Sequence, residues 1–263
     1  MRILGFDAID VGAFAGFVHL EPSEIASDPE SAALKLKEIG DRHEITFTDL
    51  FVTFGKDLTE DCVNWPEKSV RDANAGTFRK LALFCRLCGI PGITLCPGVE
   101  HPALGREASL ALATDELARL AELGQRDGLR VSFEAHLESI AESPAEALRI
   151  VKAAPHLSLT LDYSHFIAQG YTVSDVEPLL DHAGHVHVRQ AKPGTLQARD
   201  DDGTIDFEMI LAELERRSYR GAVAFEYEWN SWQGNNRVDV LSETLALRRR
   251  LRRFTAATND TDR

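Results

Sequence analysis

Four apolar segments in the second half of the chain each carry a side chain that can bind a metal ion. RVSFEAH contains Glu134, LSLTLDYSH contains Asp162, HVHVRQ contains His187 and AVAFEYE contains Glu226. Burying three carboxylates together costs much free energy unless a cation compensates them. Three carboxylates and one imidazole form a hard, oxygen-rich ligand set, which suits Mn²⁺, Mg²⁺ or Co²⁺ and tolerates Zn²⁺. The sequence therefore predicts one divalent metal ion held by these four residues.

The four segments belong to a regular alternation of short apolar runs with longer stretches of helical period. Such alternation is typical of an α/β fold in which helices cover a parallel sheet. Strands buried on both faces, in a chain of this size, favour a TIM barrel over an open doubly wound sheet. The seven predicted strands are Ala8–Val11, Ile45–Thr53, Gly92–Cys96, Arg130–Glu134, Ser158–Asp162, His185–Arg189 and Ala222–Glu226.

The active site of a TIM barrel lies at the carboxyl ends of its strands. The four candidate ligands are therefore expected at one mouth of the barrel. The alternative is that each acid is an ordinary strand-end residue that faces solvent or a lysine, and for any single acid the two interpretations are equally good.

A complete (β/α)8 barrel has eight strands, one more than the sequence offers. The opening MRILGFDAIDVGAF is typical of the end of a first helix, closed by Gly5, that runs into a second strand. We therefore expect a TIM (β/α)8-type barrel that lacks or abbreviates its first βα unit. The alternative is that Arg2–Phe6 is itself a short first strand.

Two further patterns locate helices. Apolar residues recur at helical spacing, and Ser143 with Pro144 and Glu146 is typical of a capped helix start. Each stripe predicts one buried helix face. The two stripes are Leu110, Ala113, Leu117 and Leu120, and Phe207, Ile210, Leu211 and Leu214.

Composition limits the class of protein and of partner. With 263 residues, 44% of them hydrophobic, we expect a single domain over residues 1–254 and a flexible tail over residues 255–263. A net charge of −13 argues against nucleic acid or an anionic membrane as partner. No apolar run or leader pattern suggests a membrane span or secretion, so a cytoplasmic location is expected.

The four cysteines are interpreted as reduced thiols in the core. They are few for the length, and Cys85 and Cys88 lie in a predicted amphipathic helix. The alternative is that this CxxC pair is half of a zinc site, but no second pair follows it.

The segments FEAH, LDYSH, HVHVRQ and FEYE, in this order and spacing, resemble the xylose isomerase-like TIM barrel, or sugar phosphate isomerase and epimerase, family over essentially the whole chain. The resemblance implies that Glu134, Asp162, His187 and Glu226 are metal ligands at the ends of strands five to eight. It also implies that Glu134 and Glu226 form the acid and base pair. One would remove the proton next to a carbonyl, and the other would return it through a metal-bound enediolate.

Substrate-binding residues are expected around the metal. The resemblance implies that His165 of the D-x-x-H element contacts a substrate oxygen, and His136 lies two residues after Glu134. Trp229, like Trp65 and Trp232, could cover the apolar side of a sugar ring. Each residue also has a second interpretation. His165 could be a loop histidine that faces solvent, His136 could orient a metal ligand, and the tryptophans could be ordinary packing residues.

The substrate anchor departs from the family pattern. Pro193 stands where ketose epimerases of the family carry an arginine, six residues after the metal histidine. Arg189, with Lys192 and Arg199 as further candidates, could replace it. The chain has no glycine-rich phosphate loop, so a neutral keto sugar or cyclic polyol is the expected substrate. A homodimer is possible for an exposed barrel face.

Three other functions compete with a sugar isomerase or epimerase. A metal-dependent lyase or dehydratase removes the same proton but expels a leaving group, so its metal site would look identical. An abasic-site endonuclease needs further histidines, whereas the acidic run Asp200–Asp202 has none beside it. A non-catalytic binding protein would need no metal ligands.

Overall fold

Seven strands form one sheet whose strand order is the order of the chain. The computed structural model describes residues 1–16 and 20–252. All seven predicted strands are confirmed, with ends that differ by at most two residues. They are β1 (Ala8–Ala13), β2 (Thr46–Val52), β3 (Gly92–Leu95), β4 (Arg130–Glu134), β5 (Leu157–Asp162), β6 (Ala183–Val188) and β7 (Val223–Phe225).

The chain divides into two compact units, Met1–Thr160 and Leu161–Arg263. In the first unit, strands β1 to β4 and the start of β5 pair in parallel. Its helices are α1 (Pro22–Ser27), α2 (Pro29–His43), α3 (Lys68–Cys88), α4 (Arg106–Arg126) and α5 (Pro144–Ala153). Glu134, the last residue of β4, is in register with Thr160 of β5.

In the second unit, β6 and β7 pair in parallel, with His187 opposite Ala224. Its α-helices are α6 (Tyr163–Ala168), α7 (Val173–Val176), α8 (Phe207–Arg216) and α9 (Val240–Arg250). It also contains two 3₁₀ helices: Glu177–His182 lies between α7 and β6, and Trp232–Arg237 lies between β7 and α9.

The two apolar stripes are buried as predicted. Their residues lie on the inner faces of α4 and α8, each at most 8% exposed. Ser143 caps α5, because its Oγ accepts a hydrogen bond from Glu146 N at 3.2 Å and donates one to the Glu146 carboxylate at 2.8 Å. Helical period and capping residues therefore located these helices correctly.

The first residues form a short helix rather than a strand. Arg2–Leu4 is a 3₁₀ helix, and Gly5 ends it in the left-handed region, with φ of 83°. The alternative of a first strand over Arg2–Phe6 is wrong, because none of the 3₁₀ residues is buried as a central strand would be. The expected flexible tail, 255–263, lies outside the described residues.

All four cysteines are free thiols. Cys85 lies on the buried face of α3, and none of the candidate metal clusters among residues 1–16 and 20–252 contains a cysteine. Burial raises the pKa of Cys62 and of Cys88 to about 11. No helix in the same part of the chain is both long enough and apolar enough to span a membrane.

Candidate functional site

Asp162 lies where β5 ends and α6 begins. Its Oδ1 accepts a hydrogen bond from Ser164 N at 2.8 Å, which caps α6. This cap turns the chain sharply and places His165 on the first turns of the helix. Both Asp162 and His165 have side chains that are 0% exposed. The sequence LDYSH therefore builds a buried carboxylate and a buried imidazole within four residues.

His187 lies in β6, and Glu226 directly follows β7. Glu226 N donates to Val188 O at 3.1 Å, which extends the pairing of these two strands by one residue. As a result His187 Nδ1 lies 3.0 Å from Glu226 Oε2. The ring of His185, two residues earlier on the same strand, meets the His187 ring edge to face at 5.2 Å. Strand pairing thus brings together two residues that are 39 positions apart.

Asp162, His187 and Glu226 converge in the second unit. One ligand atom from each lies within 4.8 Å of the others. Two ligands that each lie about 2.1 Å from one divalent ion, at right angles, are about 3 Å apart, which matches the His187–Glu226 distance. The buried carboxylate of Asp162, the partly buried carboxylate of Glu226 and an imidazole are also the donors that such an ion prefers. These three residues fit a divalent metal ion.

Glu134 and His136 belong to the first unit. Glu134 is 2% exposed at the carboxyl end of β4. His136 is half-buried, and its Nδ1 donates to Leu137 O at 2.7 Å. The ligand and base roles of Glu134, and the substrate role of His136, stay predictions.

Arg189 follows β6 and is among the largest buried side chains of the described residues. Its Nη2 lies 2.9 Å from Asp162 Oδ2 and 3.0 Å from His165 Nε2. Its Nε donates to Ser164 Oγ at 2.9 Å. The guanidinium is 2% exposed, so it lies beneath the site surface. Its predicted contact with substrate stays untested.

Glu228 belongs to the same cluster, although it was not among the residues predicted from the sequence. Its Oε2 lies 3.3 Å from Arg189 Nη1. The signal was present in FEYE, because residues two apart in an extended segment face the same side, and Glu226 also lies 3.5 Å from Arg189.

The three tryptophans have different surroundings. Trp232 lies beside His165, with ring centroids 6.3 Å apart and ring planes tilted by 44°. Trp229 is 69% exposed, so its predicted substrate contact stays open. Trp65, in the first unit, packs edge to face on His101 at 5.8 Å. His101 is buried beside Asn64, and burial lowers its pKa, so this pair belongs to the packing of the first unit.

The strand order and the buried carboxylate–imidazole cluster define an α/β protein with a candidate metal centre at the ends of its parallel strands. Residues 2–251 match the family described as xylose isomerase-like TIM barrel. The chain therefore belongs to this family, and its fold class is the TIM barrel that the sequence predicted.

Similar proteins act on sugars and sugar acids. The 2-oxo-tetronate isomerase of Pectobacterium atrosepticum is 25% identical over 169 residues, which are 61% of this chain and 62% of that protein. The chain is thus matched to less than two thirds of this relative's length.

Two solved structures share the fold. D-psicose 3-epimerase of Clostridium cellulolyticum, solved with D-tagatose, superposes with a TM-score of 0.72 at 16% identity, over 96% of this chain and 90% of that one. A xylose isomerase-like TIM barrel protein of Mycobacterium smegmatis, in complex with magnesium, gives 0.65 at 16% identity, over 93% and 86%.

Proposed function

We propose that this protein is a divalent-metal-dependent isomerase or epimerase that acts on a keto sugar or a related polyol. The observation that carries the proposal is the convergence of His187 and Glu226, at 3.0 Å, with the buried carboxylate of Asp162. The names of the similar proteins support the reaction type, since isomerases and epimerases of sugars and sugar acids recur among them.

The metal site in this proposal has four ligands. Asp162, His187 and Glu226 come from the second unit, and Glu134 is the fourth. Support for Glu134 comes from its burial at a strand end, from its register with Thr160, two residues before Asp162, and from the family resemblance. Mn²⁺, Mg²⁺ or Co²⁺ suit this oxygen-rich set best, and Zn²⁺ is tolerated.

The chemistry assigned to the protein is proton transfer next to a carbonyl. A divalent ion, when bound, supplies positive charge against the negative charge that develops on the carbonyl oxygen. Glu134 and Glu226 each act on the substrate carbon, one removing its proton and the other returning one. Return to the same carbon from the opposite face gives an epimer, and return to the neighbouring carbon gives an isomer.

Three further residues are proposed to bind the substrate. His165 and His136 would form hydrogen bonds with its hydroxyl groups, and Trp229 would cover its apolar face. Trp232 supports this arrangement, because it places a second aromatic ring beside the His165 ring.

The experiment that tests the proposal joins two measurements. Elemental mass spectrometry of purified protein should find about one divalent ion per chain. Neutral ketoses of four to six carbons, incubated with the metal-loaded protein in D₂O, should acquire deuterium next to the carbonyl. An unsaturated product would instead identify a lyase, and a protein that takes up no metal after reconstitution would overturn the proposal.

A further inference from the structure

The carboxylate of Glu228 is fixed through one of its two oxygens. Oε2 accepts hydrogen bonds from Arg189 Nη1 at 3.3 Å, Asn230 Nδ2 at 3.2 Å and Asn235 Nδ2 at 3.3 Å. Oε1 accepts none from the residues that the structure describes, and the side chain is 40% exposed. A carboxylate oxygen with both lone pairs available therefore remains in a defined position.

The backbone of Glu228 is fixed as well. Gln197, which is 3% exposed, accepts from Glu228 N at 2.8 Å and donates to Glu228 O at 2.9 Å. The same amide donates to the carbonyl of the fully buried Asn235 at 2.8 Å. A buried glutamine thus holds both backbone groups of the partly buried Glu228. The entropy cost of ordering this residue is incurred when the protein folds, not when a ligand binds.

The guanidinium of Arg189 connects Glu228 to two of the candidate metal ligands. Arg189 contacts Glu228 through Nη1, and through Nη2 it contacts Asp162 at 2.9 Å. Glu226 lies 3.5 Å from the same Nη2. Three carboxylates thus surround one arginine, so its positive charge is already balanced within the cluster.

Two further cations of the second unit are already paired with carboxylates. Lys192 and Arg199 were the other candidate substrate anchors. Lys192 Nζ lies 2.5 Å from Asp202, and Arg199 lies 2.8 Å from Asp201. Both cations are therefore paired with carboxylates, as Arg189 is.

We infer that Glu228 determines which substrates the protein uses. Its Oε1 accepts a hydrogen bond from a hydroxyl group of an uncharged polyhydroxy ketone, and the negative charge of the carboxylate excludes ketoses that carry phosphate or carboxylate. This inference rests on the proposed isomerase or epimerase function. A fixed carboxylate accepts a hydrogen bond from a hydroxyl, whereas an anion brought beside it meets a like charge.

The test compares wild-type protein with Glu228→Gln, which keeps an acceptor oxygen but removes the charge. Metal-loaded protein in D₂O is given D-tagatose or D-tagatose 6-phosphate, and L-erythrulose or L-erythrulose 4-phosphate. The kcat/KM of deuterium incorporation is measured for each compound. 2-Oxo-tetronate is included as a ketose that carries a carboxylate. The control variant is Glu215→Gln, which removes one charge from the exposed side of α8.

In wild-type protein, kcat/KM for the neutral compound of at least one pair should exceed that for the anionic compound by roughly tenfold or more. Glu228→Gln should reduce this ratio about tenfold, and Glu215→Gln should leave it unchanged. Equal use of neutral and anionic members by wild-type protein would overturn the inference, as would a preference that Glu228→Gln leaves unaltered. If wild-type protein exchanges deuterium into none of the probes, the proposed function fails, and the inference that rests on it fails too.

Discussion

Arg189 Nη2 lies 2.9 Å from Asp162 Oδ2, and these side chains are 2% and 0% exposed. The guanidinium therefore compensates buried negative charge from within the fold. A buried ion pair of this kind is costly to disrupt from one side, because the remaining charge stays buried without its partner.

Replacing Arg189 by methionine should destabilise the metal-free protein by about 3 kcal/mol or more, since carboxylates that it now neutralises would lie together without a cation. Urea unfolding in the presence of a chelator measures the change. Arg199→Met, which removes an exposed cation paired with Asp201, is the matched control and should cost about 0.5 kcal/mol or less. Equal losses in the two variants would show that burial of the guanidinium does not govern its contribution.

Replacing His187 by alanine should lower the affinity for a divalent ion by about tenfold or more, because one nitrogen ligand is lost. Competition with a chromophoric chelator gives the affinity, and elemental analysis gives the stoichiometry. His182→Ala removes a half-buried histidine of the same unit that lies in none of the candidate clusters. Unchanged metal affinity in the His187 variant would refute its role as a ligand.

Replacing Glu226 by glutamine should abolish deuterium exchange into a ketose substrate while the thermal unfolding transition stays cooperative, since a neutral amide cannot act as a base. Glu134→Gln should behave in the same way. Because both residues are also proposed ligands, metal content is measured on the same samples, and assays are run at saturating metal. Turnover close to that of the wild type in either variant would contradict the acid and base assignment.

Cys62 should make stability depend on alkaline pH. Burial raises the pKa of the Cys62 thiol to about 11, whereas an unfolded thiol titrates near 8.5. The folded state then binds more protons than the unfolded state at intermediate pH, so this contribution is present below about pH 8.5 and is lost as pH rises towards 11.

Between pH 8 and pH 10 the wild type should lose roughly 1–2 kcal/mol more stability than Cys62→Ser, whose hydroxyl does not ionise in this range. Urea unfolding at the two pH values gives the difference between the proteins, which cancels the titration of lysines and tyrosines common to both. Parallel losses in both proteins would show that the Cys62 thiol does not couple to folding.

The sequence by itself located the seven strands and the helices α4, α5 and α8. A strand buried on both faces leaves a short apolar run and a helix buried on one face leaves an apolar stripe, and both are recognised without any distant residue. The strand Arg130–Glu134 was predicted with its observed ends, and Ser143 was identified as a cap from its neighbours alone. Local propensity could not decide Arg2–Phe6, which forms a 3₁₀ helix closed by a left-handed glycine.

Most residues of the candidate site could also be selected from the sequence, since the polar residues of LDYSH, HVHVRQ and FEYE interrupt otherwise apolar segments. Only the tertiary structure decided how those residues relate to each other. The contacts of Arg189 depend on β5, β6 and β7 together. The position of Glu228 depends on Gln197, 31 residues away, as well as on Arg189, Asn230 and Asn235. Buried ion pairs and hydrogen bonds from side chains to the backbone connect residues that are distant along the chain. The sequence pattern does not show which distant residues form these contacts.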